Sequence, residues 1–375
     1  MTHWIWSNKD WPNFSWDAEK LSLHLSSARL AQGKLLGIIQ TINDEVSDEM
    51  DAIILAAQAI DTSAIEGERL NRDSVRSSIA NRLGLDIAGI STQPDRYIEG
   101  LLDMLLDATQ NYSALLTLER LYGWHAALFP TGYSGIRKIT VGSLREPGPM
   151  QIVSGRPDRP TIHYEAPPAK GIKNEMNRFL SWFNDNAVID GLLRAGIAHL
   201  WFELLHPFED GNGRVGRAII DLALAQDEKL KSRYYSLSSA IMNDRKNYYA
   251  SLEKSCCGDM DITPWLIWFL GCFKDAINHS IKMIDDISYK SHFWERHART
   301  EINTRQAKVL NRLLDAGRDG FIGGMTTRKY MQLTKISRAT AYRELIDLVD
   351  KKCLRPTTEK GRSAAYEIDW SAIGK

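Results

Sequence analysis

Apolar residues recur at intervals of three to four along most of this chain. Two stripes of this kind occur in the first 60 residues, one through Leu21, Leu25, Leu30, Leu35, Ile38, Ile39 and Ile42, the other through Ile53, Ile54, Ala57 and Ile60. Such spacing places the apolar side chains on one face of a helix. Similar patterns predict helices over residues 96–112, 118–129, 172–184, 190–205, 215–227, 244–254 and 264–284. The chain is therefore expected to be mainly α-helical.

The pattern changes between residues 130 and 168, where proline and glycine are frequent. Short runs of extended-chain formers occur at residues 138–141, 151–153 and 161–164. Runs of this length separated by turn residues are typical of β-hairpins. We expect one or two hairpins between helices.

The two ends of the chain differ from this central region. The first 16 residues are rich in aromatic residues, which we interpret as a short cap packed on a larger core. Near the other end, helices are predicted at 305–316, 326–333 and 337–350, the last capped by the hydroxyl of Ser337. A basic, hairpin-like stretch at 351–368 completes the pattern of a winged helix-turn-helix. Four parts follow: an N-terminal helical domain (1–110), a core (111–285), a linker helix (286–300) and a winged-helix-like domain (301–375).

Charge separates the last part from the rest. Lys+Arg and Asp+Glu both total 47 over 375 residues, but residues 296–375 carry a net charge of +8, which leaves −8 on the first 295. This basic segment is either a solvated face or a module with its own partner. Residues 301–375 could contact DNA, with Arg338, Thr340, Tyr342 and Arg343 offered to a groove, although winged helices also bind proteins.

Cysteine usage and hydropathy restrict the compartment. The four cysteines lack the spacing of a zinc site or a disulfide framework, which fits a reducing compartment. The N-terminus lacks the basic start and apolar run of a secretory signal, and the most apolar stretch, 262–273, is far shorter than the roughly 20 residues that span a bilayer. We expect a cytoplasmic protein without membrane contact.

The segment HPFEDGNGRVGR at residues 206–217 carries the chemistry. Its glycines let backbone N–H groups approach an anion, and the next helix adds the partial positive charge of its N-terminus. Arg214 and Arg217 supply guanidinium groups suited to phosphate oxygens, and Asp210 is a hard ligand for Mg²⁺. The constellation predicts a nucleoside triphosphate site.

His206 is the candidate base, because an unperturbed imidazole pKa of about 6.5 suits proton removal near neutral pH. His125, His163 and His199 are interpreted as structural. Residues 211–216 also fit GxGxxG, but a helix instead of a strand precedes them, and the chain has no GxxxxGK[ST] sequence. A Rossmann dinucleotide site and a P-loop are therefore not supported.

Residues 206–217 match the signature HxFx[DE]GNGRxxR at every fixed position, so the chain resembles the Fic family. The resemblance covers roughly residues 118–273 and implies a Fic-fold helical core with a small hairpin. It also implies a protein adenylyltransferase, which transfers AMP from Mg-ATP to a Ser, Thr or Tyr hydroxyl of a target protein. His206 would be the base and Asp210 would hold Mg²⁺. The ATP site would comprise Phe208, which faces the core, Gly211, Asn212, Gly213, Arg214, Gly216, Arg217 and Tyr249.

Two further features follow from the resemblance. The hairpin would act as a flap, with Ile152, Val153 and Tyr164, that aligns a target segment by strand addition. Tyr249 resembles the aromatic residue beside the adenine in some members, whereas Cys256 stands where an Asn is often found. The aromatic N-terminus is similar to a small domain that often precedes Fic cores in bacteria.

Residues 62–67, TSAIEG, match the inhibitory pattern [ST]xxxE[GN] of this family. Thr62 and Glu66 would then lie on an inhibitory helix, where Glu66 could pair bidentately with Arg217 and draw it away from the γ-phosphate.

Three alternatives remain open from the sequence. The same site could remove AMP from a modified protein or transfer another nucleotidyl or phosphoryl group. The chain could instead be a DNA-binding regulator whose core senses nucleotide. A homodimer would offer a way to modulate the inhibitory helix.

Overall fold

The computed structural model describes residues 4–83, 95–156, 159–185, 189–317, 321–357 and 364–370. It divides into two compact units, one of residues 1–41 and 47–280, the other of residues 42–46 and 281–375. In the first unit the helices are α1 (Ala18–Ile39), α2 (Asp44–Ile65), α3 (Arg72–Leu83), α4 (Arg96–Gln110), α5 (Leu118–Leu128), α6 (Ile172–Asn184), α7 (Gly191–Leu205), α8 (Asn212–Glu228), α9 (Leu237–Asn243), α10 (Arg245–Ser255) and the start of α11 (Thr263–Arg296). Short 3₁₀ helices lie at Ile5–Ser7 and Ala169–Gly171.

Side-chain caps define where several of these helices begin. Asp95 accepts from the backbone N–H of Tyr97 at the start of α4, and Asp190 accepts from Leu192 at the start of α7. Each cap satisfies a backbone donor that a helix leaves without a partner. The helices predicted at 96–112, 172–184 and 190–205 are confirmed to within two residues.

Helices α7 and α8 form the centre of the first unit and are buried along most of their length. Gly196 permits a close approach, because a Cβ there would lie 2.9 Å from the ring of Phe269 in α11. Helix α8 begins three residues earlier than predicted, at Asn212, although Gly213 and Gly216 disfavour helix. Burial of this first turn against α7 outweighs the low helix propensity of the glycines.

Two antiparallel hairpins follow α5. Strands β1 (Tyr133–Ser134) and β2 (Arg137–Lys138) form the first, and β3 (Gln151–Arg156) and β4 (Arg159–Glu165) form the second, with a bulge between Ile152 and Val153. The run predicted at 138–141 is not a strand beyond Lys138. There the backbone N–H of Thr140 donates to Glu209 at 3.3 Å instead of to a neighbouring strand.

The second unit contains the end of α11, then α12 (Thr304–Leu314), α13 (Thr327–Thr334) and α14 (Arg338–Asp350). Strands β5 (Met325–Thr326), β6 (Leu354–Pro356) and β7 (Ala365–Ile368) form an antiparallel sheet in the order β5-β7-β6. Ser337 caps α14 as predicted, accepting from the N–H of Thr340 at 3.3 Å. The helix expected at 286–300 is not separate, since α11 continues unbroken to Arg296.

The second unit has its own apolar core. Its buried members come from α11, α12, α14 and the sheet, and include Phe293, Val309, Leu313, Leu345, Leu348, Leu354 and Ile368. Within the described ranges, none of the helices combines the length and the apolar character that a membrane crossing needs.

Candidate active site

The signature residues form a short loop between α7 and α8. His206 ends α7 in the left-handed conformation (φ 45°), and its backbone N–H still bonds to the Phe202 carbonyl at 3.0 Å. Gly211 opens α8 with φ 77°, and a Cβ there would lie 2.8 Å from the ring of Phe129. Two left-handed residues therefore turn the chain sharply between two buried helices, and the second position requires glycine.

Asn212 locks this loop from within. Its Oδ1 accepts from the backbone N–H of Phe208, and its Nδ2 donates to the Phe208 carbonyl, both at 2.9 Å. The fully buried Phe208 ring stacks on His125, with centroids 4.3 Å apart. Phe208 thus faces the core, and the pair of bonds fixes the loop backbone.

His125 extends the same framework. Its Nδ1 accepts from the backbone N–H of Gly142 at 3.1 Å, so its Nε2 carries the proton and donates to the Asp210 carbonyl at 3.1 Å. Burial lowers the pKa of His125 to about 4, which keeps this tautomer neutral. The structural interpretation of His125 fits these contacts.

Arg145 is a loop residue that no sequence pattern singled out. Its backbone N–H donates to the Pro207 carbonyl at 2.9 Å, and its Nε donates to the His206 carbonyl at 2.9 Å. Its Nη2 donates to the Pro167 carbonyl, and the residue is buried. Arg145 therefore fixes the backbone at His206 and Pro207.

His206 is half-buried, and its Nδ1 is buried. Burial lowers the pKa of His206 to about 4, opposed in part by the backbone of Glu203, whereas the nearby Arg145 charge lowers it further. The imidazole is consequently neutral at physiological pH, which is the form that can accept a proton.

Asp210 lies at the accessible edge of the loop, with 42% of its side chain exposed. Its Oδ1 accepts from the Gly211 N–H at 2.5 Å, and its Oδ2 accepts from the Ser134 hydroxyl. The Arg214 guanidinium is 3.8 Å away. Among the described residues, no group of three or more His, Cys, Asp or Glu is arranged to hold a metal ion. Asp210 fits Mg²⁺, which commonly binds one or two carboxylates together with substrate phosphates.

Arg214 is almost fully buried and already engaged. Its Nη1 donates to Glu68 at 2.9 Å and bonds to the Tyr97 hydroxyl, while its guanidinium lies 5.0 Å from the ring centroid of Phe129. Burial raises the pKa of Tyr97 to about 12. Glu68 and Tyr97 were not identified from the sequence, because neither belongs to a motif.

Arg217 is held by the segment that carries the predicted inhibitory pattern. Its Nε donates to the Thr62 hydroxyl at 2.7 Å, and its Nη2 donates to the Thr62 carbonyl and to Glu66 Oε1, both at 2.8 Å. A Cβ on Gly213 would lie 2.1 Å from the same Glu66 oxygen. The expected Glu66–Arg217 pair is present, and its carboxylate covers the first turn of α8.

The bidentate geometry expected for that pair does not occur. Only Nη2 of Arg217 bonds to Glu66, while Nε donates to the Thr62 hydroxyl. The buried Nη1 has no hydrogen-bond partner. Thr62 and Glu66 therefore share the guanidinium.

A second carboxylate lies behind this pair. Glu203 of α7 faces Gly216, where a Cβ would come within 2.7 Å of Glu203 Oε1, an oxygen that is buried without a partner. Burial, together with the nearby Glu66 charge, raises the pKa of Glu203 to about 8, although Arg217 opposes the shift. Gly216, expected to line the ATP site, thus lies at the contact between α7 and α8.

The second hairpin presents two of its three singled-out residues to solvent. Ile152 and Val153 are exposed on β3. Tyr164 on β4 is buried, and its hydroxyl donates to the Leu204 carbonyl at 2.5 Å. Tyr164 therefore anchors the hairpin beside the end of α7.

Tyr249 on α10 contacts the segment of residues 62–67 directly. Its hydroxyl donates to the Ile65 carbonyl at 3.1 Å, and the Arg245 guanidinium lies 5.5 Å from its ring centroid. The residue is 41% exposed.

Comparisons with known proteins agree with this architecture. Residues 4–85 match a domain of unknown function (DUF4172), and residues 115–224 match the Fic/DOC family. A Fic family protein from Desulfovibrio desulfuricans has the same fold, with a TM-score of 0.52 and 20% identity over 93% of this chain and 95% of that one. The expected mainly α-helical Fic fold is confirmed.

Two curated relatives are similar over shorter segments. A protein adenylyltransferase from Caenorhabditis elegans is 33% identical over 91 residues, which are 24% of this chain and 17% of the relative. A uridine 5′-monophosphate transferase from Xanthomonas campestris is 29% identical over 119 residues, 30% of this chain and 21% of the relative. The match thus spans about a fifth of each relative.

Proposed function

We propose, from the premise that residues 115–224 match the Fic/DOC family, that the chain transfers AMP from Mg-ATP to a hydroxyl of a target protein. The observation that carries the proposal is the single rigid loop that joins His206, Asp210 and the N-terminus of α8. This arrangement offers a base, a carboxylate ligand and an anion site at one point. A relative named as a protein adenylyltransferase supports the choice of AMP.

In the proposed reaction, His206 takes the proton from a Ser, Thr or Tyr hydroxyl. The hydroxyl oxygen attacks the α-phosphorus, the bond from that phosphorus to the bridging oxygen of the β-phosphate breaks, and pyrophosphate leaves. The phosphates would bind the free N–H groups at the start of α8, near Gly213, where the helix dipole favours anions. Mg²⁺ bound by Asp210 would neutralise charge on the phosphates.

Control by Glu66 is the second part of the proposal. Its carboxylate lies over Gly213, at the end of α8 where a phosphate would bind, and it neutralises Arg217. A charge-assisted hydrogen bond of this kind contributes about 1.5–3 kcal/mol, which corresponds to a bias of roughly ten- to hundredfold. The segment at Thr62–Glu66 would therefore hold the site closed.

The proposal is tested by incubating the protein with ATP labelled at the α-phosphate and with host lysate, followed by mapping of the modified residue. Glu66→Gly should raise label transfer about ten- to hundredfold over wild type. Glu49→Gly, the same change at an exposed position of α2, serves as the control and should leave transfer at the wild-type level. Equal labelling by wild type and Glu66→Gly would remove the regulatory part.

A second candidate function differs from the first in the nucleotide that is transferred. The similarity to a uridine 5′-monophosphate transferase favours testing UMP, and Cys256 stands where an adenine contact was expected. Competition between α-labelled ATP and unlabelled UTP, GTP or CTP separates the two, because only the preferred nucleotide should suppress labelling at equimolar concentration.

Alternatively, the same site would remove AMP from a modified target. Glu66 would then orient the attacking water. Incubating purified AMP-modified target with wild type and Glu66→Gly tests it. Loss of AMP that requires Glu66 would favour removal over transfer.

For residues 301–375 we propose a winged helix that contacts DNA or a protein. Tyr342 on α14 is exposed, and Ser337 caps the helix at the end that would enter a groove. Binding of duplex DNA that weakens steeply with salt and needs these residues would favour DNA. Sedimentation of the full chain tests the proposed homodimer.

A further inference from the structure

Helix α1 carries leucines on two opposite sides. Leu21 and Leu35 are almost fully buried, whereas Leu23 and Leu30 are 79% and 77% exposed. Each residue of a helix is rotated by about 100° from the one before it, so Leu30 lies almost in line with Leu23 and both point away from Leu21. The apolar stripe predicted from the sequence grouped Leu30 with Leu21, and the structure places Leu30 on the other side. We call the line through Leu23 and Leu30 the outer face of α1.

The residues around these two leucines on the outer face are small. Ser26 and Ser27 lie between them, and Gly37 continues the line beyond Leu30. A Cβ on Gly37 would meet no atom of the described residues within 4 Å, so packing within the chain does not require glycine at this position. Glycine in a helix lowers its stability relative to alanine. Small residues at these positions let the backbone of a second helix approach the leucines closely.

Opposite charges flank the leucines at equal distances. Glu19 lies four residues before the first leucine and Lys34 four residues after the second, and both side chains are exposed. Residues four apart on a helix share a face, so both charges belong to the outer face. Neither forms an ion pair among the residues that the structure describes. The outer face therefore has a midpoint between Ser26 and Ser27, with a leucine and then a charge on either side, and the two charges have opposite sign.

This order suits a two-fold axis at the midpoint. When two copies of α1 pack antiparallel there, Leu23 of one copy faces Leu30 of the other and Glu19 faces Lys34, and each contact occurs twice. The helix dipoles are then also antiparallel, which is the favourable arrangement. A parallel pair would instead place Glu19 against Glu19 and Lys34 against Lys34. Repulsion between like charges therefore disfavours the parallel pair.

We propose that the outer face of α1 binds the same face of a second copy of this chain, antiparallel, in a symmetric dimer. This assignment goes beyond nucleotide transfer, and it rests on the proposed function only in giving the proposed homodimer a surface. A different protein would also cover two exposed leucines, but it would not require leucines and opposite charges placed symmetrically about one point. A single helix face offers less area than the roughly 800 Å² per partner of a standard interface, so we expect dissociation in the micromolar range.

Sedimentation of the full chain without nucleotide tests the surface, so the outcome does not depend on transfer activity. The dimer fraction should rise with protein concentration through the micromolar range. Leu30→Gln should weaken the dimer at least about tenfold, because the symmetry removes the buried leucine twice. Leu115→Gln, the same change at a leucine that is 65% exposed and lies outside α1, should leave the dimer unchanged.

Charge reversal tests the antiparallel pairing. Glu19→Lys and Lys34→Glu should each weaken the dimer about three- to tenfold, and the double variant should return it to about the wild-type affinity. Both positions are exposed, and melting curves identify a variant that fails to fold. A chain that stays monomeric, a dimer that Leu30→Gln leaves unchanged, or a double variant as weak as the single ones would each overturn the proposed dimer.

Discussion

The loop at residues 206–212 and the segment at residues 62–68 meet on α8, yet they are held in different ways. The loop is fixed by its own backbone, by the two Asn212 bonds and by Arg145. The segment is attached to α8 through side chains, with Thr62 and Glu66 on Arg217 and Glu68 on Arg214. His206 and Asp210 are therefore held in place by the loop backbone. The contacts of the segment with α8, in contrast, can be removed by substituting one side chain at a time. Substitutions in the loop should therefore lower transfer, whereas substitutions in the segment should raise it.

The largest effect is expected from Asn212→Ala, which leaves the buried N–H and carbonyl of Phe208 without partners. Each unsatisfied buried group costs about 1–3 kcal/mol, so the loop should lose its fixed geometry. Transfer by the Glu66→Gly protein should fall at least a hundredfold, as measured with α-labelled ATP. Asn247→Ala, at an exposed position of α10, should change transfer little; equal activity of the two variants would mean that the loop does not depend on this lock.

An intermediate effect on transfer is expected from Thr62→Val in the segment at residues 62–68. The substitution removes the acceptor of the buried Arg217 Nε while keeping the shape of the side chain. Loss of about 1–2 kcal/mol from the docked segment should raise transfer roughly five- to thirtyfold over wild type. Thr41→Val provides the matched control at an exposed site. A decrease in transfer would show that Thr62 supports catalysis instead of closure.

The pH dependence of stability should report the raised pKa of Glu203. Because the pKa of Glu203 is raised to about 8, its buried acid form stabilises the folded protein most fully below its usual pKa, and this stabilisation is lost as pH rises toward 8. The melting temperature of Glu203→Gln should therefore fall less than that of wild type between pH 5 and pH 8. Each kcal/mol of lost stabilisation corresponds to about 2–4 °C. Parallel curves for wild type and variant would contradict the raised pKa.

The smallest effect should come from Tyr249→Phe, which removes the bond to the Ile65 carbonyl and keeps the ring. A loss of about 0.5–1.5 kcal/mol should loosen the segment and raise transfer about two- to tenfold. A large fall in the affinity for ATP would instead assign the hydroxyl to nucleotide binding.

The difference between the loop and the segment explains which parts of the site the sequence could predict. His206, Asp210 and Gly211 lie within six consecutive residues, so their spacing alone places them on one loop. The long helices could also be predicted, because their apolar residues recur at regular helical intervals. Arg145 and Tyr97 are single residues from distant segments, and nothing in their local sequence marks the contacts that the fold gives them.

The geometry of the Glu66–Arg217 pair was harder to predict than its existence. The pattern at 62–67 names Thr62 and Glu66, but only the packed helices decide which nitrogen of Arg217 each one takes. Burial likewise decides the pKa of Glu203, which the sequence does not indicate.

The most direct test of the central claim compares two labels of ATP on the Glu66→Gly protein. The α-phosphate label should pass to protein, the γ-phosphate label should not, and Glu66→Gly combined with His206→Ala should abolish transfer. Transfer of the γ label, or undiminished transfer without His206, would contradict the assignment of AMP transfer to this loop.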